Sequence, residues 1–442
     1  MKVMQLTGYF LPEKAASIYL TENRLEAFAE AGFDTVIWAS RPTRGLSDEE
    51  YQEYKNKKLE TMYGGKVTVH RFAMYREGKN PLLRALRYSL NWIIQLWKGL
   101  REKDVDCIYL ASTPPIQGML GAFIKKFRGI PFVYNLQDIF PDSLFNNGLA
   151  NKGGMLWKIG RVIENFTYKH ADKIIVISED FKKNIMAKGV PEDKIVVVYN
   201  WVDQNAVVDV KREENKLFDK YGLDKEKFYV AYSGNIGLSQ NMEMLLSVAE
   251  EFQSSKVSEV SSSNDSETGQ AAETLKPTET SNIQFVLVGE GAALENVKRT
   301  VAEKNLENVH LLPFQPYEDI SHVFSLGDVS LVISKPGTGA ASVPSKTWSI
   351  MSASRPVLAN FDENELKSIV EQNECGIFTK AGDKEAFKEA ILKLYNDRDL
   401  CMEYGKNGRK FVMENLTREI GTSKYVQVIK DVCASTSSAT EK

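Results

Sequence analysis

The residues best placed to do chemistry sit in a set of glycine-bearing loops in the second half of the chain. Ser233-Gly234-Asn235-Ile236-Gly237 follows the apolar run Phe228-Tyr229-Val230-Ala231-Tyr232. Val288-Gly289-Glu290-Gly291 follows residues 283–287, and Lys335-Pro336-Gly337-Thr338-Gly339 follows residues 329–333. Val343-Pro344-Ser345-Lys346 comes just after. Glycine lets a backbone approach a phosphate, and the helix that follows offers free N–H groups and the positive end of its dipole. One such loop is weak evidence. Several in a regular series point to a nucleotide or diphosphate site at the carboxyl edge of a parallel sheet.

That site requires βα units to carry it, and the sequence supplies two series of them. In the amino half, residues 3–6 read as a first strand, followed by Gly8-Tyr9-Phe10-Leu11-Pro12 and a helix from Ser17 to Ala31 that Gly32 ends. Further strands are expected over 34–39, 66–72, 106–111, 131–135, 173–177 and 194–199. A polar stretch over 209–227 separates them from the second series, which starts at Phe228. The expected class is α/β, with two doubly wound Rossmann-like domains facing a cleft. The expected boundaries are 1–203 and 204–417, with a helix over 418–433 that could belong to either domain and is expected to pack back on the first.

The bulk numbers narrow the function. The chain has 442 residues, enough for two or three domains with ample cores. A net charge of -3 argues against a dedicated nucleic-acid binder. Cys107, Cys375, Cys401 and Cys433 lack metal-ligand spacing, which suggests reduced thiols in a cytoplasmic protein. The first ten residues lack the pattern of a signal peptide. No apolar run reaches the ~18 residues of a membrane span.

Two segments break the pattern. Residues 254–281 are rich in Ser and Thr and hold no aromatic residue. Such a segment cannot bury enough apolar area to offset its ordering entropy, so a disordered surface insertion is expected. Residues 71–103 carry eight Lys and Arg against Glu77 and Glu102. The helical part mixes leucines, Trp92 and Trp97 with Arg84 and Arg87. This suits peripheral contact with an anionic membrane surface; a helix half-buried on its own sheet is the other reading. Residues 434–442 read as a frayed polar tail.

These features resemble the retaining GT-B glycosyltransferases of glycosyltransferase family 4, in the branch that builds bacterial capsule, O-antigen and exopolysaccharide. The likeness rests on Tyr9-Phe10-Leu11-Pro12-Glu13, Gln137-Asp138-Ile139-Phe140-Pro141-Asp142, Tyr199-Asn200-Trp201-Val202-Asp203, the 233–237 loop, and Val343-Pro344-Ser345-Lys346 leading to Ser354-Arg355-Pro356-Val357. As an ordered set spanning nearly the whole chain they are specific.

The resemblance implies sugar transfer from a nucleotide donor without a metal or other cofactor. The donor is held by the carboxy-terminal domain and the acceptor by the amino-terminal one. No Asp-x-Asp stands at a strand end to hold a divalent ion. The leaving diphosphate must then be stabilised by amides, a helix dipole and a cation. Gly234, Asn235 and Gly237 could supply amides and Lys346 the cation, though Lys346 could also be a solvated first-turn residue. The family's paired glutamates are replaced by Ala341 and Ser349, and its loop cation by Gly237-Leu238-Ser239-Gln240. Glu363 or Glu365 could hold the ribose instead. Glu290 could do so, or cap the helix that follows it. The loop containing Gln315 is expected to meet the nucleobase. Asp138 is expected at the reacting centre, with loop organisation as its alternative role. Tyr9, Glu13, Lys14 and Ser17 are expected to touch acceptor or phosphate.

The expected activity is transfer of an N-acetylated hexosamine or deoxyhexosamine from a UDP-sugar to a polyprenyl-linked or saccharide acceptor. The expected location is the cytoplasm, peripheral to the inner membrane face. The rivals are an enzyme like UDP-N-acetylglucosamine 2-epimerase, against which the sparse histidines argue, and a non-catalytic nucleotide-sugar-binding scaffold.

Overall fold

The structure, a computed structural model, describes all residues except 14–17, 44, 77–79, 115, 144–150, 152, 255–279, 340–342 and 441–442. The chain forms two compact units: Met1–Trp201 with Arg418–Lys442, and Val202–Thr417. The division falls just before the expected 203/204 boundary.

The first unit carries strands β1 (Lys2–Thr7), β2 (Asp34–Ser40), β3 (Leu59–Met62), β4 (Val67–Phe72), β5 (Cys107–Ala111), β6 (Phe132–Leu136), β7 (Lys173–Val176) and β8 (Ile195–Val197). They form one sheet in the order β3-β4-β2-β1-β5-β6-β7-β8, parallel except where β3 pairs antiparallel with β4 at the edge. Inner strands such as Phe-Val-Tyr-Asn-Leu of β6 are buried throughout, as a parallel sheet covered on both faces demands. β4, next to the edge, alternates buried and half-buried residues instead. Chain order reverses beside β1, so the loops after β1 and β5 flank the switch point, and the loop after β6 lies next to them.

The second unit carries β9 (Phe228–Ser233), β10 (Ile283–Val288), β11 (Val309–Leu312), β12 (Val329–Ile333), β13 (Val357–Phe361) and β14 (Gly376–Lys380). Its sheet is parallel, ordered β11-β10-β9-β12-β13-β14. Here the switch point lies between β9 and β12. The loops after those strands are the 233–237 and 335–339 loops of the sequence reading.

The terminal helix Arg418–Thr440 belongs to the first unit, where Tyr425, Val428, Ile429 and Val432 pack against Val3, Tyr109, Val133 and Trp201. The polar tail expected from residue 434 is helical to Thr440. Once buried apolar residues nucleate a helix, each further residue adds a hydrogen bond at little cost. Cys433 on this helix and Cys107 on β5, unrelated by spacing, lie in the same core cluster, and all four cysteines are free. The expected 254–281 insertion lies almost wholly outside the described residues, after the helix Met242–Gln253.

Candidate functional site

At the switch point of the second unit, two glycine loops interlock. Gly234 donates its N–H to Val288 O (3.0 Å), Ile236 donates to Glu290 O (2.8 Å), and Ala293 donates to Ile236 O (2.9 Å). The fit tolerates no side chain. A Cβ on Gly289, which has φ +149°, would lie 1.9 Å from Gly234 O, and one on Gly291 would lie 2.3 Å from Ile236 O. These glycines serve loop-to-loop closeness. The Gly234 amide is therefore occupied, and the Gly237 amide is taken by Gln240 Oε1 (3.0 Å), so neither is free for a phosphate as expected. Of the three expected donors, only the Asn235 amide has no acceptor among the described residues.

The space left by Gly234 is filled by Lys346. A Cβ on Gly234 would stand 3.2 Å from Lys346 Nζ. The ammonium sits 3.8 Å from the centroid of the Tyr232 ring, a cation–π contact. Tyr232 is itself fixed, its hydroxyl donating to Asn235 O (2.6 Å), and burial pushes its phenol up. Lys346, the first residue of the helix Lys346–Ser352, is half-buried, with its ammonium crowded between the Tyr232 ring and Gly234. Burial pushes its pKa down to about 7. Among the described residues it makes no ion pair with a carboxylate. A buried cation held only by an aromatic face gains strongly from an arriving anion.

The 335–339 loop is braced by a residue the sequence reading missed. Asp362 accepts from Gly337 N–H (2.9 Å) at one oxygen and from Gly339 N–H (2.7 Å) at the other. Lys335 N–H and the Thr338 hydroxyl both donate to Ser239 O, linking this loop to the first (2.7 and 3.1 Å). The signal available was an Asp at a strand end, overlooked beside Glu363 and Glu365.

The other donor-side expectations change. Glu290 is exposed and does not cap the next helix, which starts at Leu294 with Ala293 as its N-cap. Gln315 is buried and committed inward: its amide donates to Tyr221 Oη (2.9 Å) and Pro313 O (2.6 Å), and Lys220 donates to its Oε1 (3.1 Å). It shapes its loop, while neighbouring Phe314 is exposed. Glu363 is exposed and pairs with Lys367 (2.9 Å), and Glu365 opens the helix Glu365–Gln372, capped by Asn364. Ser349 lies half-buried in the Lys346–Ser352 helix; Ala341 is outside the described residues.

In the first unit, Ser112 Oγ at the end of β5 accepts the backbone N–H groups of Gln137 (3.0 Å) and Asp138 (3.2 Å). Gln137 donates to Asn135 Oδ1 (3.0 Å) and accepts from Asn200 (2.9 Å), while Tyr425 of the terminal helix also donates to Asn135 (3.1 Å). On this scaffold the two aspartates of the Gln-Asp-Ile-Phe-Pro-Asp motif divide. Asp142 is an anchor, taking Lys188 Nζ (2.7 Å) and Asn184 Nδ2 (3.3 Å). Asp138 is exposed, and its carboxylate has no hydrogen bond or ion pair among the described residues. Ser112, Asn135 and Tyr425 escaped the sequence reading because they converge only in the folded sheet.

Of the expected acceptor residues, Glu13 is turned inward. It is buried, and its carboxylate accepts from Phe10 N–H (3.1 Å) and Thr43 N–H (2.8 Å). Both oxygens hold the loop after β1, so it is no acceptor contact. The Tyr9 hydroxyl meets that of Tyr88 (3.0 Å). Lys14 and Ser17 lie outside the described residues.

The expected membrane residues also divide. Arg84 and Trp97 are exposed. Arg87 is buried at 1%, donating to Tyr75 O, and Trp92 donates its indole N–H to Ile116 O (3.2 Å). Neither of these two faces outward. No helix among the described residues is long and apolar enough to cross a membrane.

Comparison with known proteins adds the family. The model "Glycosyltransferase Family 4" matches residues 20–206, and "Glycosyl transferases group 1" matches residues 266–411. The chain is 23% identical over 362 residues to the probable glycosyltransferase WbjE of Pseudomonas aeruginosa, covering 81% of this chain and 83% of that protein. It is 24% identical to the putative colanic acid biosynthesis glycosyl transferase WcaI of Escherichia coli, covering 79% and 81%. The crystal structure of Anabaena HepE in complex with UDP superposes with a TM-score of 0.68 at 15% identity, covering 98% of this chain and all of that one. The two family models fall on the two halves in chain order: the chain is a glycosyltransferase of the GT-B fold, with a Glycosyltransferase Family 4 amino-terminal half and a Glycosyl transferases group 1 carboxy-terminal half.

Proposed function

We propose that the chain transfers a sugar from UDP to a polyprenyl-linked or saccharide acceptor in surface-polysaccharide biosynthesis, with retention at the anomeric carbon and without a metal. The sugar is an N-acetylated hexosamine or deoxyhexosamine, and the work is done at the cytoplasmic face of the membrane. The observation that carries the reading is Lys346, a half-buried ammonium on the Tyr232 ring with no ion-pair partner among the described residues, beside the Gly234 loop at the switch point. A diphosphate is the ligand that best satisfies it. The likeness to HepE, which was solved with UDP, supports uridine as the nucleoside. The likeness to WcaI and WbjE supports a polysaccharide pathway.

In this reading Lys346 and the Asn235 amide take the negative charge that grows on the diphosphate as the glycosidic bond breaks. Asp138 steadies the positive charge that grows at the anomeric carbon. The departing phosphate oxygen takes the acceptor's proton on the same face, so no second base is required.

A thermal-shift panel of UDP, GDP, ADP and their common sugars, with magnesium and with EDTA, tests this. Selective stabilisation by UDP compounds that survives EDTA is expected. Equal response to all nucleotides, or loss in EDTA, sinks the uridine or the metal-free part respectively.

A further inference from the structure

The helix Pro81–Arg101 turns a row of polar residues inward beside Trp92 and Leu96, which pack on the core. Arg87, Asn91 and Gln95, one helical turn apart, are buried. Gln95 donates to Thr7 O (2.6 Å), and Gln117 bridges Gln95 Oε1 (2.6 Å) to Leu6 O (2.8 Å). These polar groups serve carbonyls at the end of β1. The opposite face, Leu83, Leu86, Leu90, Ile93, Trp97 and Leu100, repeats every three or four residues and is exposed, Ile93 at 57%. Scattered apolar residues at a surface need no explanation, but a continuous stripe does.

Two neighbouring helices expose apolar residues as well. Trp92 packs edge-on against Phe123 of the helix Gln117–Arg128 (5.9 Å), and Phe123 against Phe166 of the helix Met155–His170 (5.3 Å), so the three helices lie side by side. Phe127 on the second is exposed. So are Met155, Leu156, Ile159 and Val162 on the third, Val162 at 68%. The charge on these helices has one sign. Arg84, Arg101, Lys126, Lys158 and Lys169 are exposed, while the single acid, Glu164, is buried and paired with Arg161 and Lys188.

We propose that these three helices together form one docking surface for an anionic lipid bilayer, with the apolar stripes of the first and third helices inserted side by side and the basic side chains at headgroup level. This rests on the reading of a membrane-held acceptor and names the surface that meets the membrane. Charge complementarity selects the occupant. A second copy docked symmetrically would set the same cationic face against itself.

The test is sedimentation of the full chain with vesicles of phosphatidylcholine alone and of phosphatidylcholine with phosphatidylglycerol. Binding to the second and at most weak binding to the first is expected. Leu86→Glu with Ile93→Glu, and separately Leu156→Glu with Val162→Glu, should each weaken partitioning at least about tenfold, since each substitution removes apolar insertion and adds charge repulsion. Lys126→Glu should weaken it about fivefold or more. These side chains are exposed, so melting temperatures should stay unchanged. Three results would overturn the proposal. They are absent binding to anionic vesicles, full binding by the Leu156/Val162 variant, and a stable dimer that the same substitutions dissociate. Turnover on a water-soluble saccharide acceptor is measured alongside. If the wild type binds vesicles but transfers no sugar, the transferase reading fails and the surface stands; if it transfers but does not bind, the reverse holds.

Discussion

Lys346 should make nucleotide binding take up a proton. In the free protein its pKa is pushed from the ordinary 10.5 down to about 7 by burial alone. Above that pH the amine is largely neutral. A diphosphate placed against it favours the ammonium, so the bound-state pKa lies well above the free one and the difference is filled by a proton from solvent. With the free pKa at about 7 and the bound value well above 8, uptake should be about 0.9 proton at pH 8, where the UDP phosphates are already fully ionised. The dissociation constant for UDP should accordingly rise about fivefold between pH 7 and pH 8. Calorimetry of UDP binding in two buffers of different ionisation enthalpy reads the uptake directly. Lys346→Met is the control. It should weaken UDP binding by an order of magnitude or more and abolish the uptake. Uptake near zero at pH 8 in the wild type, or the same uptake in Lys346→Met, would refute the reasoning. The free protein carries the reverse signature. Because the folded-state pKa is depressed, the unfolded chain binds more protons between pH 7 and 10.5, so this lysine makes stability rise with pH across that window.

Other predictions follow from the same two sites. Asp138→Asn should cut turnover by about a hundredfold or more while UDP affinity, measured by calorimetry, stays within a few-fold; near-normal turnover would remove Asp138 from the mechanism. Gly289→Ala forces a Cβ to 1.9 Å from Gly234 O. It should cost at least about 2 kcal/mol, a drop of about 4–8 °C in melting temperature, and weaken UDP binding. Asp362→Ala frees the amides of Gly337 and Gly339 and should weaken UDP binding about tenfold, with a smaller loss of stability than Gly289→Ala.

The sequence made the sheet framework and the address of the donor site readable, for a local reason. Short apolar runs, ended by glycine in the second half and mostly by polar residues in the first, state both the strand and where its carboxyl end lies, and two series of them mark two doubly wound units. What each loop group does was less readable. Gly234 and Gly237 look alike in sequence, yet their N–H groups are spent on Val288 O and on Gln240, partners that only the fold brings near. Glu13 and Asp138 are both carboxylates in strand-end loops. One is buried with both oxygens used; the other is exposed. Nothing in either residue's local sequence separates them, because the partners that do, Thr43 and Ser112, lie in the loops after other strands.

The helix Pro81–Arg101 gives the sharpest case of what periodicity leaves open. A period of three to four apolar residues establishes a helix with two unlike faces, but not which face meets the sheet. The usual assignment puts leucine inward because burying apolar area is the largest favourable term. Here the surface being covered is the end of β1, where the Leu6 and Thr7 carbonyls need donors, and an unsatisfied buried carbonyl costs more than a hydrogen-bonded amide. Gln95 therefore turns in to Thr7 O, in a row with Asn91 and with Arg87, which serves Tyr75 O, and beside Trp92 and Leu96 on the core. The price is a leucine and tryptophan stripe left outside, and a chain that folds in water keeps such a stripe only if something apolar covers it. Basic residues on the three adjacent helices, with their one acid sunk inside, name the charge of what does so. The residue that decides this is Gln95. Gln95→Leu should leave the Thr7 carbonyl and the Gln117 amide short of a partner and lower stability by about 1–3 kcal/mol, where an ordinary buried polar-to-leucine change on an apolar face would raise it. A stabilised Gln95→Leu protein in a thermal melt would mean that the inward polar face answers no need of the strand end.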